Sequence, residues 1–189
     1  MKKTILLLLL LFSAFTLFSE EEYDFRKVRW GMSFEEVLKS ENINPKSSMK
    51  DEYISYNDSI FFKDCNLNYY FFEGKLSRIF ISFGNLFPLE KNNYFEEYNE
   101  IKKLYEKRYG KVSKSQTIWY NKKFKNNPDR INEAISKNHV NIGDAWILEK
   151  TVISLGIVVN DSGKVSIVVL YKEKIEGTMS EKDYLSDKI

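Results

Sequence analysis

Histidine and cysteine are almost absent from this 189-residue chain, since each occurs once. The single cysteine, Cys65, excludes an internal disulfide, so the fold must be held by its hydrophobic core. The single histidine, His139, excludes a histidine-based metal cluster or proton relay. The sequence also lacks nucleotide-binding loops, nucleophile elbows and zinc-protease motifs. We therefore predict no catalytic residues, no cofactor and no metal site.

Each of the two rare residues still has a chemical alternative. Cys65 follows Asp64, and a neighbouring carboxylate disfavours the reactive thiolate. We predict an inert, half-buried thiol, with intermolecular pairing or a catalytic role as the alternatives. His139 lies in a polar segment, where we predict a solvated loop residue and not a general base.

The first 19 residues have the order of a secretory signal peptide. Lys2 and Lys3 precede an apolar run at 5–18, which is shorter than the roughly 20 residues of a membrane span. Cleavage after Ser19 would leave 27 basic and 27 acidic residues, so the mature chain would be formally neutral. We predict a periplasmic or secreted protein with no integral membrane segment and no nucleic-acid partner. An uncleaved N-terminal anchor is the alternative.

Two short groups of residues recur in the same order. Phe34-Glu35-Glu36 returns as Phe95-Glu96-Glu97, each near the start of a predicted helix. Gly74-Lys75-Leu76-Ser77 returns as Gly163-Lys164-Val165-Ser166, each at a predicted hairpin. We therefore predict an α+β fold of two tandem units, each a helix packed on an antiparallel sheet of about four strands.

The predicted units cover residues 20–88 and 89–189, behind the signal peptide at 1–19. The second unit has an insertion near 121–143 and a polar C-terminal tail. Within the insertion, Asn127-Pro128 predicts the start of a short helix, because proline suits the first helical position.

Helix and turn signals are clear at several points. Ser33 and Glu36 predict a capping box ahead of a short helix over 34–40. Regularly spaced tyrosines predict a long helix that Asn93 caps and Gly110 ends. Hairpin turns are predicted at Asn57-Asp58, at Glu73-Gly74 within a three-residue loop Phe72-Glu73-Gly74, and at Asp161-Ser162-Gly163.

Alternation around the second turn predicts the candidate binding face. Leu67, Tyr69, Phe71, Ile79 and Ile81 share one side of the sheet, and the other side carries Tyr70, Leu76, Arg78 and Phe80. Trp119 and Trp146 flank the insertion and could add a sugar-stacking or partner-binding surface. Their alternative role is to anchor the core of their strands.

The residues Phe25 to Ser33, followed by Glu35-Glu36-Val37, resemble the start of small exported bacterial domains. In those domains a Gly-Met-Ser/Thr turn begins a helix that ends at a glycine, as at Tyr109-Gly110-Lys111. They include β-lactamase-inhibitor-protein-like folds and the small lipoprotein of the outer-membrane barrel assembly machine. The resemblance implies tandem units with a helical segment on a four-stranded antiparallel sheet. This chain lacks the inhibitors' cysteine pairs and the lipoprotein's lipid-attachment cysteine, so no functional residues are carried over.

These features predict an exported, non-enzymatic binding module of the bacterial cell envelope, whose partner is another envelope protein. Heavy use of Lys, Asn, Ile, Phe and Tyr is typical of AT-rich bacterial genomes. The alternatives are an enzyme that acts on an envelope polymer or peptide, and a small-ligand sensor domain.

Overall fold

The computed structural model describes residues 23–84 and 93–174. The predicted signal peptide, the boundary between the two predicted units and the C-terminal tail lie outside the described residues. Within the two described ranges, no helix is long and apolar enough to cross a membrane.

In the part of the chain that the structure describes, eight antiparallel strands form one sheet in the order β1-β2-β3-β4-β8-β7-β6-β5. Every neighbouring pair is antiparallel. The strands are β1 (Ser47–Met49), β2 (Tyr53–Ile60), β3 (Lys63–Phe72), β4 (Lys75–Phe83), β5 (Lys114–Trp119), β6 (Val140–Ile147), β7 (Thr151–Val159) and β8 (Val165–Glu173).

The prediction of two tandem helix-on-sheet units is wrong, because the two halves of the chain share this one sheet. β4 pairs with β8, from Arg78 opposite Lys172 to Phe83 opposite Ile167. Two separate four-stranded sheets would leave these strands as edges with unpaired N–H and C=O groups, which the pairing satisfies. The buried side chains of both halves likewise form one hydrophobic cluster.

Among the described residues, four α-helices accompany the sheet: α1 (Phe34–Glu41), α2 (Tyr94–Tyr109), α3 (Lys122–Lys125) and α4 (Ile131–Ser136), with a 3-10 turn at Pro128–Arg130 before α4. The predicted capping box of α1 is confirmed, since the Ser33 N–H donates to Glu36 Oε2 at 2.8 Å and the Glu36 N–H donates to Ser33 Oγ at 3.3 Å. Asn93 makes no side-chain cap at α2. Instead, the Phe95 N–H donates to Asn132 Oδ1 on α4 at 2.9 Å.

The sheet has a helix-covered face and an opposite face. A row of paired residues on the helix-covered face runs from Tyr69 through Ile79, Tyr171 and Ile153 to Trp146. Tyr105 of α2 packs on this row, with ring centroids 5.7 Å from Trp146 and 6.3 Å from Tyr171. The core therefore lies between α2 and this face.

The predicted turn at Asn57-Asp58 is wrong. Both residues stay in β2, paired with Asn66 and Cys65 of β3, and Asp58 forms an ion pair with Arg26. The turn falls instead at Phe61-Phe62, where φ is +54° and +62°. Cross-strand pairing thus outweighs the local turn preference of Asn-Asp.

The β3–β4 turn differs from the predicted three-residue loop. Phe72 pairs with Lys75, so the loop holds two residues, and the register shifts beyond it so that Phe71 pairs with Leu76 while Tyr70 pairs with Arg78. Ser77 is the extra residue of this β-bulge. Leu76 therefore faces the core at 1% exposure, and its predicted place beside Tyr70 is wrong.

The two hairpin glycines have the predicted backbone conformation. Gly74 has φ +71° and Gly163 has φ +79°, in the region that side chains disfavour. The β7–β8 turn also has the predicted three-residue loop after Asn160, whose side chain accepts hydrogen bonds from the Ser162 and Lys164 N–H groups.

Candidate functional site

The aromatic groove is a depression on the opposite face of the sheet, where β3, β4 and β8 meet. Its volume is about 410 Å³, within the range of about 300–1,000 Å³ that ligand sites occupy. It is lined by Tyr70, Phe71, Phe72, Ser77, Arg78, Phe80 and Leu170.

The β-bulge at Ser77 shapes this groove. Ser77 Oγ donates to the Tyr70 carbonyl at 3.3 Å, which holds the extra residue against β3. Bulges bend a strand and change the direction of its side chains. Phe72 and Tyr70 remain 69% and 41% exposed, so the aromatic walls are open to a ligand.

The groove also carries positive charge. Arg78 is exposed, and no described residue accepts a hydrogen bond from its guanidinium. Lys172 lies directly opposite Arg78 on β8, and exposed Lys75 begins β4. The exposed guanidinium of Arg78 can therefore pair with an anionic group of a ligand. The groove therefore suits an apolar group that lies beside a carboxylate or another anion.

The predicted site residues divide between the two faces. Tyr70, Arg78 and Phe80 come together in the aromatic groove. Trp119 and Trp146 are not part of it, because their pairing partners place them on the helix-covered face. Trp146 is 1% exposed and donates its indole N–H to the Gly110 carbonyl at 2.9 Å, whereas Trp119 packs at the margin of the core. Their role as strand anchors is the one observed.

Sequence reasoning missed four groove residues, Phe71, Phe72, Ser77 and Leu170. Phe72 precedes the turn, and its exposure follows from the two-residue loop. Leu170 enters the groove through the pairing of β8 with β4. No local pattern specifies which strand edges pair, so the sequence held no signal for Leu170.

Cys65 is more deeply buried than predicted, with 0% exposure. Burial, and then the Asp58 carboxylate, raise the pKa of its thiol to about 12. A thiol with such a pKa is protonated at neutral pH and is a poor nucleophile. The predicted inertness of Cys65 therefore follows from its surroundings.

His139 is half-buried and not the fully solvated loop residue that was predicted. Its ring packs on Phe124, with centroids 5.2 Å apart. The chain returns from α4 at this point, because the His139 N–H donates to the Ala134 carbonyl and the His139 carbonyl accepts from the Tyr120 N–H. These contacts are structural.

A buried carboxylate, Asp144, ties α2 to the sheet. Its oxygens accept a hydrogen bond from the Tyr98 hydroxyl at 2.7 Å, contact Lys102 Nζ at 2.9 Å and accept from the Ser115 hydroxyl. Burial, and then the neighbouring carboxylate, raise the pKa of Tyr98 well above its ordinary value, so the phenol stays a donor. With three donors and 3% exposure, Asp144 has no access to a substrate.

A second polar cluster holds the segment before α1 against the sheet. Arg26 contacts Asp58 and lies 3.4 Å from Glu41 Oε2, which also accepts from the Tyr56 hydroxyl at 3.3 Å. Glu41 additionally accepts from the Lys27 N–H at 3.2 Å. Its side chain is 2% exposed, so removing one partner would leave a buried charge.

A smaller cavity of about 210 Å³ lies beside this segment. Both signs of charge line it, and Arg26 is already engaged by Glu41 and Asp58. Its lining residues are Tyr23, Asp24, Phe25, Arg26, Arg108, Tyr109, Leu148, Glu149, Lys150 and Thr151.

No protein-family model, curated protein or solved structure matches this chain. The resemblance to β-lactamase-inhibitor-protein-like domains therefore stays a prediction. Within residues 23–84 and 93–174, no three His, Cys, Asp or Glu side chains are grouped to hold a metal ion.

Proposed function

We propose that the protein is an exported, non-enzymatic binding module of the bacterial cell envelope. The partner is an envelope protein that places an apolar side chain and a neighbouring carboxylate in the aromatic groove. The observation that carries this proposal is the open aromatic wall beside Arg78, whose guanidinium has no partner among the described residues.

The chemistry of the groove supports a protein partner. Aromatic and arginine side chains contribute most of the binding energy at protein interfaces. Tyr70, Phe72 and Phe80 supply the rings, and Arg78 supplies five donors in a planar fork that matches a carboxylate. The burial of Cys65 and the three donors that hold buried Asp144 support binding over catalysis.

The test is capture of partners from an envelope extract with the tagged protein. Arg78→Glu reverses the charge at the groove and should abolish capture of the partner. Lys103→Glu makes the same charge change on exposed α2 and should capture as the wild type does. Equal capture by the wild type and both variants would show that the groove does not bind the partner.

The export part of the proposal rests on the first 19 residues. Mass spectrometry of the protein purified from its native host should find an N-terminus at Glu20 or within a few residues of it. Intact Met1 in the membrane fraction would instead support the uncleaved anchor.

A further inference from the structure

The β2–β3 turn has an unfavourable backbone for its residues. Phe61 and Phe62 both have positive φ, which two-residue hairpin turns normally assign to Asn, Asp or Gly. The left-handed region is sterically unfavourable for an L-residue such as phenylalanine. Strained residues of this kind cluster at functional sites.

The two aromatic rings of this turn have opposite environments. Phe61 packs edge-on against Tyr105 of α2, with ring centroids 5.4 Å apart. Phe62 is fully exposed, at 103% of its reference surface, and is the most exposed of the large hydrophobic residues described. Packing on the core accounts for the position of Phe61, whereas no described core residue packs on Phe62.

The charges beside the turn are mainly negative. Lys63 lies 2.9 Å from a Glu97 oxygen and 3.1 Å from a Glu100 oxygen, so two carboxylates share one ammonium group. Exposed Asp64 adds a third carboxylate. An anionic membrane surface would repel this end of the molecule, whereas a cationic protein surface would attract it.

The exposed turn thus has the chemistry that the aromatic groove accepts: an apolar ring flanked by carboxylates. Turn and groove lie at opposite ends of ten-residue β3, roughly 30 Å apart, so one molecule cannot join them. We infer that Phe62 of one molecule inserts into the aromatic groove of a second copy, with a carboxylate beside the turn paired to Arg78. This inference rests on the binding function proposed for the groove.

The turn and the groove are different surfaces, so a dimer joined by one contact has a free groove on one copy and a free turn on the other. Two antiparallel copies that make the contact twice close as a symmetric dimer, whereas a single contact is heterologous. A heterologous contact of this kind extends into a chain or closes into a ring. Association therefore stops at a dimer where the contact is reciprocal and grows with concentration where it is single.

Sedimentation equilibrium of the purified protein, as its host processes it, tests this assembly. The weight-average mass of the wild type should rise with concentration to that of a dimer or beyond it. Phe62→Gly removes the ring and Arg78→Glu reverses the groove charge, and each should weaken association at least about tenfold. Tyr120→Gly, which removes another exposed ring, and Lys103→Glu should associate like the wild type.

Mixing the two defective variants gives the sharpest result. Phe62→Gly keeps an intact groove and Arg78→Glu keeps an intact turn, so an equimolar mixture should form a dimer that does not grow further. Thermal unfolding checks that both variants are folded, and Phe62→Gly should not lose stability because the ring makes no buried contact.

Three outcomes would overturn the inference. A wild type that stays monomeric at every concentration would show that the protein does not self-associate. A mixture that fails to dimerise would show that the turn does not bind the groove. Binding of phosphatidylglycerol vesicles that depends on Phe62, without self-association, would assign the turn to a membrane. If Arg78→Glu alone loses an envelope partner while the wild type stays monomeric, the proposed function stands and this inference falls.

Discussion

The β2–β3 and β3–β4 turns have similar backbone dihedral angles but very different residue types. Both loops hold two residues with positive φ: +54° and +62° at Phe61-Phe62, and +51° and +71° at Glu73-Gly74. The second turn places glycine where a side chain would be strained, as hairpins of this type normally do. The first places a fully exposed phenylalanine there. The difference indicates that stability selects the residue at Gly74 and that another requirement selects Phe62.

The largest expected effect is at the β3–β4 turn, where glycine occupies a position of positive φ. Gly74→Val should lower the free energy of unfolding by at least about 1 kcal/mol, because a β-branched residue is poorly accommodated at positive φ. No atom lies within 4 Å of the site of an added Cβ, so the cost comes from the backbone. Chemical denaturation measures it, and Gly74→Ala should cost less. An unchanged midpoint for Gly74→Val would contradict the backbone argument.

The opposite change at the other turn should stabilise the protein. Phe62→Gly relieves roughly 1–2 kcal/mol of left-handed strain and loses about 0.5–1 kcal/mol to unfolded-chain entropy. The net gain should be about 0.5–1 kcal/mol, measured by the same denaturation. If the variant is less stable than the wild type, Phe62 contributes to the fold and the functional argument for its exposure fails.

The smallest expected effect is on local opening of the β2–β3 hairpin, which the rate of Cys65 alkylation measures. The native thiol has a pKa raised to about 12, against an ordinary value of 9.0, so it stays protonated while the unfolded thiol ionises. Alkylation should therefore proceed through the opened hairpin, with a pH profile that bends near the ordinary pKa. Phe62→Gly should slow this alkylation about two- to fivefold, the rate equivalent of its added stability. A profile that bends only near pH 12 would mean that the folded thiol reacts directly.

Local signals in the sequence predicted most elements of the fold. The capping box at Ser33 and the tyrosine spacing of α2 depend on neighbours within one turn of helix, so they are readable from the chain. The positive φ of Gly74 and Gly163 is readable for the same reason. The turn at Asn57-Asp58 was wrong because strand pairing with β3 competes with local preference, and sequence order does not reveal that pairing.

The candidate site was predictable only on one strand pair. Alternation along β3 and β4 brought Tyr70, Arg78 and Phe80 to one face, and the bulge at Ser77 sent Leu76 to the other. Leu170 and Lys172 arrive by pairing with a strand from the far half of the chain. The exposed ring of Phe62 was missed because two phenylalanines in sequence indicate a strand and not a turn.

The pairing of β4 with β8 has a consequence for the order of folding. The two strands at the centre of the sheet are separated by about 90 residues, and β8 is the last strand described. Because synthesis starts at the N-terminus, β4 stays an unpaired edge strand until β8, the last described strand, has been made. Contacts between residues so far apart in sequence slow folding, and the unpaired strand edges stay exposed to other molecules until the contacts form. Correct folding therefore requires that β8 pairs with β4 of the same molecule before β4 pairs with β4 or β8 of another molecule.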